Sequence, residues 1–138
     1  MKKLIILFTL VFAICGTGHT EENMIRIKII AGDKVLTATL YDNAAAKSFA
    51  AMLPMTLPME DLYAREMCYH MPTALPTNEA RRENYEVGDI SYWPPGKSFV
   101  IFYKQNGEII NLQKIGRIDA GVDIFENTGD IDVRFELL

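Results

Sequence analysis

The stretch Lys114-Ile115-Gly116-Arg117-Ile118-Asp119-Ala120-Gly121-Val122-Asp123-Ile124-Phe125 decides the architecture. It reads as a strand, a tight turn and a short helix. Gly116 falls inside the strand, where a missing side chain suits a crowded position. Gly121 falls at the turn into the helix, where backbone freedom is needed. Asp119 is placed to cap that helix, which is predicted over Ala120 to Phe125.

Strands dominate on either side. Met24 to Ile29 alternates apolar and basic residues, the pattern of a half-buried strand. Ala31-Gly32-Asp33-Lys34 is a turn and Val35 to Leu40 the returning strand. Asp42-Asn43 caps a helix from Ala44 to Leu53 with Phe49, Met52 and Leu53 as its apolar face, and Pro54 ends it. Met55 to Leu62 and Glu66 to Met71 read as short strands. Thr73 to Val87 is polar and reads as a long surface loop. Asp89 to Trp93 and Phe99 to Tyr103 are strands about a Pro94-Pro95-Gly96-Lys97 turn. Asn106-Gly107 is a strong hairpin signal, followed by strands at Ile109–Leu112 and Lys114–Ile118. In the last strand Ile131, Val133, Phe135 and Leu137 alternate with Asp132, Arg134 and Glu136. Many short strands with two helices predict a mainly β fold, a closed antiparallel barrel.

The sequence of 138 residues suits one domain and its 49% hydrophobic content suffices for a core without disulfide staples. The formal charge of -4 argues against nucleic acid as a partner, since phosphate binding needs clustered Lys and Arg. The one tight basic pair beyond the N-terminus, Arg81-Arg82, is flanked by Glu79 and Glu83.

Residues 1–18 form a separate element. Lys2-Lys3 precede an apolar run from Leu4 to Ile14, broken by Thr9 alone, and small residues follow. This is the pattern of a secretory signal peptide, too short for a comfortable membrane span. It predicts export to the periplasm or cell envelope, with cleavage between Cys15 and His19 and a mature domain over residues 23–138. Loss of Lys2 and Lys3 takes the formal charge from -4 to -6. Cys15 directly after the apolar run is also a candidate lipid-carrying residue, although a lipoprotein pattern wants a small residue where Ile14 stands. A lipid anchor there is the one membrane association the sequence suggests. Cys68 is then left without a disulfide partner.

The order and spacing of these segments resemble the cyclophilin-like superfold, most closely the small bacterial cyclophilin-like domain proteins, over Met24 to Leu138. Ala38-Thr39-Leu40 matches the end of the family's opening strand pair, and Ala46-Lys47-Ser48-Phe49 its first helix. Ile115-Gly116-Arg117-Ile118, followed by Gly121 and Val122, matches its late strand and helix start. The resemblance implies a groove on the outer face of the barrel, mapping to Phe99–Tyr103, Tyr63–Arg65 and the loop before Leu112. In that groove Arg65 is expected to donate charged hydrogen bonds, Tyr63 and Ile101 to form an apolar floor, and Leu112 to lie at the edge.

The resemblance also brings an activity to weigh, peptidyl-prolyl isomerisation, which must lower a rotation barrier of about 20 kcal/mol. Cyclophilins use an Arg in a pocket of Phe, Gln, Trp and His. Tyr63-Ala64-Arg65 keeps an aromatic and the Arg but lacks the His beside it. The family's Gln-Phe-Phe run falls on Phe99-Val100-Ile101, its Trp near Gly107 and its pocket His on Leu112. Catalysis needs the positioned set, so the expectation is a non-catalytic binding domain for a peptide or small ligand. Tyr63, Tyr69, Tyr92, Trp93, Phe99 and Tyr103 supply aromatic surface for such a groove, although at least four of them are expected to fill the barrel.

A soft-metal reading is the other alternative. Met67-Cys68-Tyr69-His70-Met71, with Met55 and Met59 nearby, holds ligand types that suit copper(I). In a strand, however, Cys68 and His70 share one face and Met67 and Met71 the other, and methionine commonly fills cores. Glu60-Asp61 are adjacent on a strand and point apart. No Gly-rich phosphate loop follows a strand, so no cofactor is expected.

Overall fold

The computed structural model describes residues 23–138. The leader, its cleavage window and Cys15 lie outside the described residues.

Each predicted alternation becomes a strand because one face of it can be buried and the other left in water. The strands are β1 (Ile25–Ala31), β2 (Lys34–Leu40), β3 (Met55–Leu62), β4 (Glu66–His70), β5 (Arg81–Asn84), β6 (Asp89–Trp93), β7 (Ser98–Phe102), β8 (Ile109–Ile118) and β9 (Ile131–Leu137), with helix α1 (Ala44–Ala50). Their order is β2-β1-β9-β3-β4-β7-β6-β8-β5, and β2 also pairs with β8. That last pairing closes an antiparallel eight-stranded barrel and leaves β5 as an outer strand on the first half of β8.

Closure depends on Gly116. It pairs with Leu40 at the β2–β8 seam. A Cβ there would lie 2.5 Å from the Thr39 carbonyl oxygen and 3.0 Å from the Leu40 Cα. The two backbones pack where a side chain would stand.

The barrel interior is filled by aliphatic and aromatic residues, and three of its rings pack directly on one another. Phe49 stacks on Phe99 at 4.4 Å, and Phe135 meets both edge-on at 5.5 and 5.4 Å. Phe49 comes from α1, which buries Ala45, Ala46 and Phe49. Asn43 caps the helix, its Oδ1 accepting from Ala46 N at 2.8 Å while its Nδ2 donates to Lys114 O at 3.0 Å. One side chain therefore starts the helix and ties it to β8.

Several expectations need correction. The helix ends at Ala50 rather than Leu53; Met52 N and Leu53 N bond three residues back, to Phe49 O and Ala50 O, and Met52 is exposed. The residue before a proline is disfavoured in the helical region, so the last turn tightens ahead of Pro54. Asp119 does not cap the second helix. Its carboxylate accepts from Thr37 Oγ1 at 2.6 Å and pairs with Arg26 at 2.8 Å. The segment Val122–Asn127 is a 3₁₀ helix entered through Gly121, at φ 85. Leu137 is 57% exposed, because the core-facing register of β9 ends at Phe135.

The Thr73–Val87 segment is more than a surface loop. It contains β5, and Leu75 and Tyr85 within it are buried. Asn106-Gly107 forms no hairpin, because β6 lies between β7 and β8. Gly107 keeps the positive φ that the dipeptide signals, at 80. Asn106 instead clasps Tyr85: its Oδ1 accepts from the Tyr85 hydroxyl at 2.7 Å and its N–H donates to that hydroxyl at 2.9 Å.

Candidate functional site

The outer face of β4, β7 and β6 carries a second apolar cluster. Cys68, Val100, Phe102, Leu112 and Tyr85 are buried there, with Leu62 and Ile110 packed against them. Tyr85 lies flat on Phe102 with ring centroids 3.9 Å apart. The first half of β8 reaches this layer by pairing with β5, while its second half pairs with β6 in the barrel wall. Between this layer and β4 lies a groove of about 480 Å³.

Strand alternation decides what faces it. Paired positions across β4, β7 and β6 form outward rows: Cys68, Val100 and Ser91, then His70, Ser98 and Trp93. Ile101 lies on the opposite face, wholly buried in the barrel core with Met67 and Ile90. Its predicted place on the groove floor is therefore corrected. Val100 and Phe102 supply the floor, since neighbours along a strand point to opposite sides. Leu112 lines the groove wall but is itself fully buried.

Tyr63 stands on the rim, 78% exposed. It and Ala64 form the β3–β4 turn with φ 59 and 49. Left-handed backbone at two successive side-chain-bearing residues costs about 1–2 kcal/mol each. The turn is held by Arg65, whose N–H donates to Leu62 O at 3.1 Å and whose carbonyl accepts from Tyr103 N at 2.9 Å.

Arg65 is 8% exposed, and its guanidinium carbon sits 5.4, 5.7 and 5.8 Å from the ring centres of Tyr63, Tyr85 and Phe102. Nη1 donates to Glu108 Oε2 at 2.5 Å, and Nη2 donates to Glu66 Oε1. Burial works against its charge, but the bonds to Glu66 and Glu108 outweigh burial and hold its pKa above the ordinary value. The predicted donor is thus already committed to two carboxylates. Its Nε–H is buried and donates to nothing among the described residues. Sequence reasoning missed Glu66 and Glu108; a lone Arg entering a buried strand beside a Glu was the available signal.

The other polar groups of the groove do not form a nucleophilic site. His70 Nδ1 lies 2.9 Å from Gly96 O and 3.0 Å from Ser98 Oγ. A carbonyl only accepts, so Nδ1 carries the hydrogen to Gly96 and has no lone pair for the Ser98 proton. Burial pushes the Cys68 thiol pKa up; a bond to Ser98 lowers it, and Glu66 and Glu60 raise it. The thiol form is favoured, so Cys68 is not an activated nucleophile. Met59, Met67 and Met71 lie in the barrel core, whereas Cys68 and His70 line the groove. The potential copper donors are divided between two faces of the wall. Among the described residues no group of three or more His, Cys, Asp or Glu is gathered as a metal site.

Residues 29–136 match the model of the Cyclophilin-like family. The chain belongs to that family. In this cyclophilin-like domain Gly116 lies at the barrel seam and Gly121 at the turn into the 3₁₀ helix. The fold is similar to the solution structure of the hypothetical protein AF2241 from Archaeoglobus fulgidus, with a TM-score of 0.63 and 20% identity, over 83% of this chain and 95% of that one. That likeness concerns the fold. No curated protein matches the sequence.

Proposed function

We propose that this cyclophilin-like domain is an exported, non-catalytic binding module that takes a peptide or small ligand in the groove on the outer face of β4 and β7. One observation carries the reading: the Arg65 guanidinium is neutralised by Glu66 and Glu108 on an otherwise apolar floor. An isomerase arginine acts by offering its hydrogen bonds to the rotating amide, and charge stabilisation is effective only when the donor is aimed at the reacting group. Here two donors are spent inside the protein. A concave surface with an apolar floor and a few fixed polar groups is what a binding site needs.

Export rests on the leader pattern of residues 1–18, with release as a soluble domain or anchorage through Cys15. N-terminal sequencing of protein from the cell envelope tests it, and intact Met1 in the mature protein refutes it. The binding role is tested by titrating prolyl peptides and a fragment library while following amide shifts. Shifts are expected at Tyr63, Arg65, Val100, Phe102 and Leu112. In a coupled prolyl-peptide assay the rate is expected to stay near background; catalysis abolished by Arg65→Ala would establish the isomerase reading instead.

A further inference from the structure

A second concavity adjoins the groove. On the other side of β4 an open hollow is lined by Glu60, Asp130 and Asp132, and Cys68 and His70 line both spaces. Among the described residues none of these three carboxylates has a cation within ion-pair distance. Asp130 does accept the Asp61 N–H at 2.8 Å. In the groove itself Glu66 already balances Arg65, and Glu108, with half of its side chain exposed, adds a further negative charge. The two spaces together therefore carry five carboxylates and one guanidinium, and that guanidinium is internally committed. Concave walls of one charge sign concentrate the field in the space between them.

The two halves ask for different chemistry. Val100, Phe102 and Leu112, with Trp93 and Tyr63 on the rim, suit an apolar side chain. The hollow suits a cation. The buried Arg65 Nε–H still lacks an acceptor, and a peptide carries a carbonyl at every residue. A simple metal ion leaves the apolar half unused, and a neutral hydrophobe leaves the hollow unused. Adjacent strands lie ~4.8 Å apart, so the two spaces are separated by roughly one or two strand spacings, and two or three extended residues cover that distance.

We infer that the ligand is an extended peptide with an apolar side chain close to a Lys or Arg, the apolar group seated on Val100 and Phe102 and the basic group over Glu60 and Asp132. The inference rests on the groove being the binding site. It is tested with three peptides: acetyl-Phe-Gly-Lys-Arg-amide and its Gln-Gln and Glu-Glu counterparts. Trp93, the single tryptophan of the chain, stands on the groove rim and reports binding by fluorescence.

The basic peptide is expected to bind about tenfold more tightly than the neutral one at low salt, and to lose most of that advantage in high salt. The double variant Glu60→Gln/Asp132→Asn is expected to weaken the basic peptide about fivefold, on the scale of two exposed ion pairs, and to leave the neutral peptide unchanged. Equal binding of the basic and neutral peptides at Trp93 overturns the charge inference and leaves the groove reading standing. Binding of the basic peptide that perturbs only Asp130 and Asp132 overturns it as well. If no peptide perturbs Trp93, Val100 or Phe102, the groove reading falls and this inference with it.

Discussion

Replacing Gly116 by alanine adds one methyl group to the barrel seam. The added Cβ would sit 2.5 Å from Thr39 O, about 0.9 Å inside the 3.4 Å at which ordinary contact begins, and 3.0 Å from Leu40 Cα. Both are backbone atoms of β2, so no flexible side chain can move aside to admit the methyl. The strands must separate at a short seam, where Ala38–Ile118, Thr39–Arg117 and Leu40–Gly116 pair. Overpacking costs about 1–3 kcal/mol, and loss of one or two ladder hydrogen bonds adds about 1 kcal/mol each. A total of about 3–4 kcal/mol is a large share of a domain stability of about 5–15 kcal/mol. For a domain of this size it corresponds to a fall in Tm of about 10–15 °C. Circular-dichroism melts measure it. Gly129→Ala is the control, because Gly129 has φ 61 but nothing within 4 Å of its Cβ position; it should lose about 1–2 kcal/mol from backbone conformation alone. If Gly116→Ala melts within about 3 °C of the parent, or above Gly129→Ala, the close-approach argument is wrong.

Two further outcomes follow from the charged groups. Arg65→Met leaves Glu66, 6% exposed, without its cation, and should cost about 3–5 kcal/mol in urea denaturation, most of it recovered in Arg65→Met/Glu66→Leu; a single variant within about 1 kcal/mol of the parent would show that the pair is not truly buried. At Asp119 burial pushes the carboxyl pKa up, but bonds from Thr37 and Arg26 outweigh it and hold the pKa below the ordinary 3.8. Its contribution is therefore fully present above the unfolded value and lost as pH falls through the lowered folded value. The stability gap between the parent and Asp119→Asn should be constant near neutrality and close in acid; a gap unchanged down to about pH 2 would exclude this linkage.

The sequence by itself determined the mainly β fold and every strand but β5, which it read as loop, because strands follow from local signals. The alternation of Ile25 to Ala31, the Asn43 cap and the Gly116 and Gly121 spacings are written within a few residues of where they act. It also indicated the Tyr63–Arg65 turn as a place of interest. Tertiary structure alone decided the groove. Whether Ile101 or Val100 faces outward is a matter of register, and a shift of one residue exchanges the two faces. In an apolar run such as Ser98–Phe102, buried on both sides, composition carries no sign of which face is which. Asn106-Gly107 carried a real local signal, a residue at positive φ. Its hairpin depended on which strand lay beside β7, and that place was taken by β6. Arg65, Glu66 and Glu108 likewise span 43 residues from the first to the last. Their mutual neutralisation arises only when the turn before β4 and the approach to β8 meet over Phe102, and it changes a presumed donor into a paired group on the groove wall.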